Sequence, residues 1–134
     1  MKGGHHHAAF RVQGGMRAYF AGFGPDGMLE ILKKTRTGLR RLAAVPFSWK
    51  CMETYELTVT AKGNEFRAAV RPKETMPGTL HESIREASLR VTDHDAPYTG
   101  GCIGFRTGKA GHLCCSRLSV SHVGEENENG IYNA

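Results

Sequence analysis

Glycine-containing turns return at roughly 8–12-residue intervals along this chain, and the runs between them alternate in polarity with the period of a strand. Phe10 and Val12 alternate with Arg11 and Gln13 until Gly14-Gly15 interrupts them. An aromatic run over residues 17–23 ends at Pro25-Asp26-Gly27, a strong turn signal. Residues 28–35 and 39–45 flank Thr37-Gly38 as the arms of a hairpin. The clearest strand carries Tyr55, Leu57, Val59 and Ala61 on one face, with Glu56, Thr58 and Thr60 opposite. Lys62-Gly63-Asn64 turns it into a second strand, where Phe66, Ala68 and Val70 repeat the alternation. Leu89 and Val91, then Ile103 and Phe105, keep the same spacing. Leu113, Cys115, Leu118 and Val120 predict a last strand, whose change of parity predicts a β-bulge at Ser116 and Arg117. Pro72 and Pro77 open an irregular insertion over residues 72–86, where Leu80 and Ile84 are spaced for one short helical turn. About eight or nine short strands so spaced predict an all-β fold, an antiparallel sandwich or barrel.

With 134 residues there is room for one domain. Leu, Ile, Val and Phe total 26 residues, under a fifth of the chain, so the core is expected to be thin. The domain is expected over residues 8–123, behind a flexible residue 1–7 terminus containing His5, His6 and His7 and ahead of an acidic, Asn-rich tail at 124–134. No run approaches the ~18 apolar residues of a spanning helix, and no secretory signal opens the chain, so no membrane is expected and the cytoplasm is favoured. Net charge is +5. Lys33, Lys34, Arg36, Arg40 and Arg41 crowd into nine positions, either a patch for nucleic acid or an anionic glycan or, the favoured reading, an ordinary solvated hairpin. No RNA-recognition signature supports nucleic acid.

Catalytic signals are missing. Glycosidases need two carboxylates facing one bond, and no E-x-D-x-x-E run supplies them; no G-x-S-x-G elbow occurs either. Cys51, Cys102, Cys114 and Cys115 lack C-x-x-C spacing and are read as reduced, core-filling thiols with no metal site.

Two segments carry a family resemblance. YELTVTAKGNEFRAAV at residues 55–70 resembles the Y-x-L-x-V-x-x-x-G-N-x-[IF]-x-A-x-V segment of concanavalin A-like sandwich modules. VTDHDAPYTGGCIGF at 91–105 resembles their V-x-D-x-D-x-P-Y-x-x-G-x-I-G-[LF] segment. Tyr19, Asp26-Gly27, Lys33, Leu42-Ala43 and Pro46-Phe47-Ser48-Trp49 are similar to the version appended to bacterial ADP-ribosylglycohydrolase-like proteins. The resemblance implies a concanavalin A-like jelly roll, accessory to a hydrolase and itself non-catalytic. Family members carry further strands ahead of the position of Phe10. Their absence here implies an incomplete sandwich with an open sheet edge, inviting a partner, either an enzyme domain or a second copy.

Asp93 and Asp95 are read chiefly as an Asx-turn closing a strand before Pro97, each accepting backbone N–H groups, with Ca²⁺ or sugar hydroxyls as the functional alternative. Trp49, Tyr98, Tyr19 and Tyr55 are candidate rings for stacking on a glycan; Tyr55 lies on the inward face, and Trp49 is favoured as a core plug. The expected function is a carbohydrate-binding-type module with Trp49, Tyr98, Asp93 and Asp95 as its candidate ligand residues. The alternative is an interaction module that binds no sugar.

Overall fold

The computed structural model describes residues 6–49, 54–72, 86–107, 115 and 118–121. They form eight strands and no helix: β1 (His6–Val12), β2 (Ala18–Phe23), β3 (Met28–Thr35), β4 (Gly38–Pro46), β5 (Tyr55–Lys62), β6 (Glu65–Pro72), β7 (Ala87–Thr92) and β8 (Cys102–Thr107). The chain is all-β, as the alternation predicts. No helix among the described residues is long and apolar enough to cross a membrane.

Two antiparallel sheets result. The larger runs β4-β3-β2-β1-β8, a meander whose last strand returns to pair with β1; the smaller runs β5-β6-β7. Cross-strand partners share a face, so the pairs Phe10–Tyr19, Tyr19–Lys33, Ala21–Ile31 and Leu29–Val45 fix the inner surface of the larger sheet. Against it pack Phe66, Ala68, Val70 and Leu89 of the smaller sheet, in one cluster with Phe10, Tyr19, Ala21, Leu29 and Ile31. The Phe66 ring lies 4.4 Å from Tyr19 and 5.4 Å from Phe10, which sets β6 across β1 and β2. β7 lies against β4 and β3. β5 therefore falls on the side toward β8, and five strands facing three leave the inner surface of β8 short of cover.

That imbalance corrects one expectation. Ile103 and Phe105 alternate as a buried face would, and Phe105 pairs with inward-facing Ala8, yet the two are 46% and 47% exposed. Alternation reports which residues share a face; only the opposing sheet decides whether that face is covered. The expected last strand is not formed by its described residues: Cys115 and residues 118–121 lie outside any strand, and Leu118 and Val120 are exposed. Cys102 and Cys115, expected in the core, are exposed. The expected helical turn within 72–86, Cys51, Cys114, the bulge at Ser116 and Arg117 and the tail at 124–134 lie outside the described residues, apart from Pro72 at the end of β6 and Glu86.

At the other end of the chain, β1 starts at His6, two residues before the expected domain boundary at Ala8. His7 is buried on the outer surface of the larger sheet, where its Nε2 meets Glu30 Oε2 at 2.8 Å. Arg41 donates to Glu30 Oε1 from the other side and reaches Asp26 as well. Burial alone would raise the Glu30 carboxyl, but the hydrogen bonds from His7 and Arg41 outweigh it and hold the group below the ordinary carboxylate range. Gly22 opposite His7 admits this close approach: with φ at +153°, a Cβ there would lie 2.2 Å from the His6 carbonyl oxygen. Gly104, by contrast, has nothing within 4 Å of its missing Cβ.

Gly22→Ala is expected to destabilise the domain by about 2–3 kcal/mol, because backbone rather than a mobile side chain must yield. Gly104→Ala should stay within about 0.5 kcal/mol of the parent. Chemical denaturation checks both; equal effects would contradict this packing.

Candidate functional site

Two segments cross between the sheets, and each closes one end of the sandwich. The link from β4 to β5 brings Phe47 and Trp49 over the end where β1 starts. The link from β7 to β8 brings the Asp93 to Tyr98 turn over the opposite end, where Phe10, Tyr19 and Lys33 lie. All four candidate ligand residues sit on these two crossings.

At the first end the closure is aromatic. The Trp49 ring stacks on Phe23 with centroids 5.4 Å apart and meets His6 edge-on at 5.2 Å. Its Nε1 donates to the Gly24 carbonyl at 3.1 Å, which satisfies the one polar atom of the indole. Phe47 stacks on the same Phe23, and Tyr55 stands edge-on to both Phe23 and Phe47. Trp49 is thus the plug that its position after Pro46-Phe47 favours, with Tyr55 packed against the core.

The second end is polar and more tightly specified. Asp93 is buried, and Oδ1 accepts the Asp95 backbone N–H at 3.0 Å, closing the Asx-turn. Oδ2 accepts the Tyr19 hydroxyl at 2.6 Å and faces Lys33 Nζ at 2.7 Å. The Lys33 ammonium is itself buried and donates to the carbonyls of Asp95 and Ala96. Tyr98 completes the ring of contacts. Its N–H donates to Tyr19 Oη at 3.0 Å, its hydroxyl donates to the Lys34 carbonyl at 2.8 Å, and Lys33 Nζ lies 5.0 Å over its ring. Asn64 in the β5–β6 turn binds the Asp93 backbone in both directions, by Nδ2 to the carbonyl and by its own carbonyl to the N–H.

Arg11 ties the same end together and carried no signal in the sequence. It sits in the register shift of β1 with φ at +51°, and its Nη1 donates to the carbonyls of Gly63 and Tyr98. Its guanidinium lies 5.3 Å from the Phe66 ring. The only local trace of this role is Arg11 falling between Phe10 and Val12 where the strand nears its glycine break.

Electrostatics follow the geometry. Burial alone would raise the Asp93 carboxyl, but hydrogen bonds from Lys33, Tyr19 and the Asp95 N–H overcome that effect and hold it below the ordinary range. Burial first, then the bond to Asp93, pushes the Tyr19 phenol well above its ordinary value. Both oxygens of Asp93 are engaged and a lysine already supplies the positive charge, so this carboxylate has little to offer Ca²⁺ or a sugar. No group of three or more metal-ligating side chains occurs among the described residues. Asp95 differs from the sequence expectation: its carboxylate is 74% exposed and, among the described residues, faces only Arg40, at 3.7 Å, while its backbone does the binding. Of the four candidates, Asp93 and Tyr98 meet in one internal network, Trp49 lies at the far end, and Asp95 alone points to solvent.

The basic run is spent in the same way. Lys33 pairs with Asp93, Arg41 with Glu30 and Asp26, and Arg40 faces Asp95, which leaves Lys34 and Arg36 without an ion pair among the described residues. A nucleic-acid face needs free cations.

Compared with known proteins, the chain matches no family model, no curated protein and no solved structure. The concanavalin A-like resemblance therefore rests on the motifs at residues 55–70 and 91–105.

Asp93→Asn is expected to cost about 3–5 kcal/mol by leaving Lys33 buried without a counter-charge, whereas Asp95→Ala should stay within about 0.5 kcal/mol. A carboxyl held below its unfolded value stabilises fully above that value, near pH 4, and the contribution is lost as pH falls through the folded value. Stability should thus drop on acidification below about pH 4, less steeply in Asp93→Asn, and Ca²⁺ should leave the melting midpoint unchanged. Denaturation curves across pH, with and without the ion, read all three; a calcium-dependent shift abolished by Asp95→Ala would restore the ligand role.

Proposed function

We propose that this chain is a non-catalytic interaction module that receives a strand of another polypeptide along the open side of its sandwich. The observation that carries this reading is the half-exposed pair Ile103 and Phe105, apolar side chains on the inner surface of β8, an edge strand of the larger sheet among the described residues. On the opposing sheet, the inward residues Leu57, Val59 and Ala61 of β5 are only partly buried. The edge of β8 carries neither proline nor lysine, the usual guards against strand addition. Backbone hydrogen bonds would give such docking its affinity, and side-chain pockets its selectivity.

The resemblance supports the same view. It implies a jelly roll of the concanavalin A-like type that is accessory to an enzyme domain and itself non-catalytic. No paired carboxylates or nucleophile elbow in the sequence suggest chemistry of its own.

A glycan-binding module is the second reading, favoured by one feature. A shallow groove of about 580 Å³ crosses the outer surface of the smaller sheet, lined by Glu56, Thr58, Ala69, Arg71, Glu86 and Ser88. Its hydroxyls and charges suit a sugar's polar edge, though Arg71 already pairs with Glu56. Glycan-array binding abolished by Thr58→Ala and Ser88→Ala together would favour it over docking.

For the docking reading, Ile103→Lys and Phe105→Lys in dilute solution should each leave the melting midpoint within about 3 °C of the parent, because both side chains already reach water. A fall of about 10 °C or more would show that the chain covers these residues itself, and the reading fails.

A further inference from the structure

Resting on that reading, we infer that the strand received is β8 of a second copy of the same chain, paired antiparallel about a two-fold axis at Gly104. The sequence of β8, Cys102-Ile103-Gly104-Phe105-Arg106-Thr107, is self-complementary in this register. Pairing about Gly104 sets Ile103 opposite Phe105 of the second copy, and by symmetry Phe105 opposite its Ile103. All four side chains then lie on one surface, the half-exposed inner one, and form a single apolar cluster across the axis. Arg106, the one ionised side chain of β8, falls opposite Cys102 of the second copy, so like charges never meet. A shift of the pairing by one residue in either direction would set unlike faces together and break up the cluster.

Among the described residues β8 is an edge strand of the larger sheet, and nothing lies within 4 Å of where a Gly104 Cβ would stand, so the outer face at the axis has room for an introduced side chain. Surface charge does not direct a foreign polyanion to this side, since the basic run on β3 and β4 is at the far edge of the sheet and largely neutralised internally. The product is a continuous ten-stranded sheet, β4 to β8 of one copy followed by β8 to β4 of the other. Two six-residue strands bury less than the ~1,600 Å² of a standard interface, so association should be weak and depend on concentration.

Sedimentation of the intact chain from about 1 to about 500 μM tests this, alongside Ile103→Lys, Phe105→Lys and, as a control on the smaller sheet, Thr58→Lys. Expected is a rise from the 14.7 kDa monomer toward twice that mass, retained by Thr58→Lys and lost in both β8 variants. A separate readout uses Gly104→Cys on a Cys102→Ser background. Oxidation should then join the two introduced thiols across the axis in a symmetric disulfide, identified by peptide mass spectrometry. A parent that stays monomeric throughout overturns the inference, and so does a dimer that persists in both lysine variants or never forms that symmetric link. If the parent is monomeric while the lysine variants keep their melting midpoints, only the identity of the occupant is wrong and the open side stands. If their midpoints collapse, the docking reading itself has failed.

Discussion

A lysine and an aspartate buried together at one end of the sandwich constrain more of this structure than any other contact. Lys33 comes from β3 of the larger sheet and Asp93 from the crossing that leaves the smaller one, so their 2.7 Å pairing sets the sheets' alignment at that end. Taking two charges out of water is costly, and their attraction offsets the cost only when the remaining donors and acceptors are satisfied. Here they are: Tyr19 and the Asp95 N–H complete Asp93, and the Asp95 and Ala96 carbonyls complete Lys33. A network this demanding tolerates few alternative arrangements, which matters for a core with few large apolar residues. The opposite end uses stacked aromatics, where Phe23, Phe47, Trp49 and Tyr55 supply area with less directional demand.

This division explains why residues that look ready for a ligand do other work. An aromatic ring or a carboxylate in a loop draws notice because loops are usually exposed. Both crossings fold inward instead, and apart from the Asp95 carboxylate they spend those groups on sealing the molecule. The basic run has the same fate, since Lys33 and Arg41 sit in line with cations facing solvent but are drawn to acids on neighbouring elements. The surface on which the proposed docking rests is apolar and lies at a sheet edge.

Local pattern revealed much of the fold. The hairpin from Tyr55 to Val70 needed only period-two alternation and a Gly63-Asn64 turn, and β5 and β6 pair in that register. The Asx-turn at Asp93 and the Trp49 plug were legible because turn chemistry and a Pro-Phe-x-Trp run act over a few residues. Long-range relations were not. Nothing near Lys33 marks it as buried, and nothing near His6 and His7 signals a strand: their places depend on Asp93, Glu30 and the space left by Gly22. The exposure of Ile103 and Phe105 was hidden for a related reason, because parity along one strand carries no information about the width of the sheet opposite.

A double-mutant cycle on Lys33→Met and Asp93→Asn measures the coupling between the two residues. If the pair clamps the two sheets, each single change leaves a buried group stranded, and making both relieves part of the damage. The double variant should then be at least about 2 kcal/mol more stable than the sum of the single losses implies. Losses that add to within about 0.5 kcal/mol would mean that the two residues stabilise the fold independently and that the pair does not clamp the sheets.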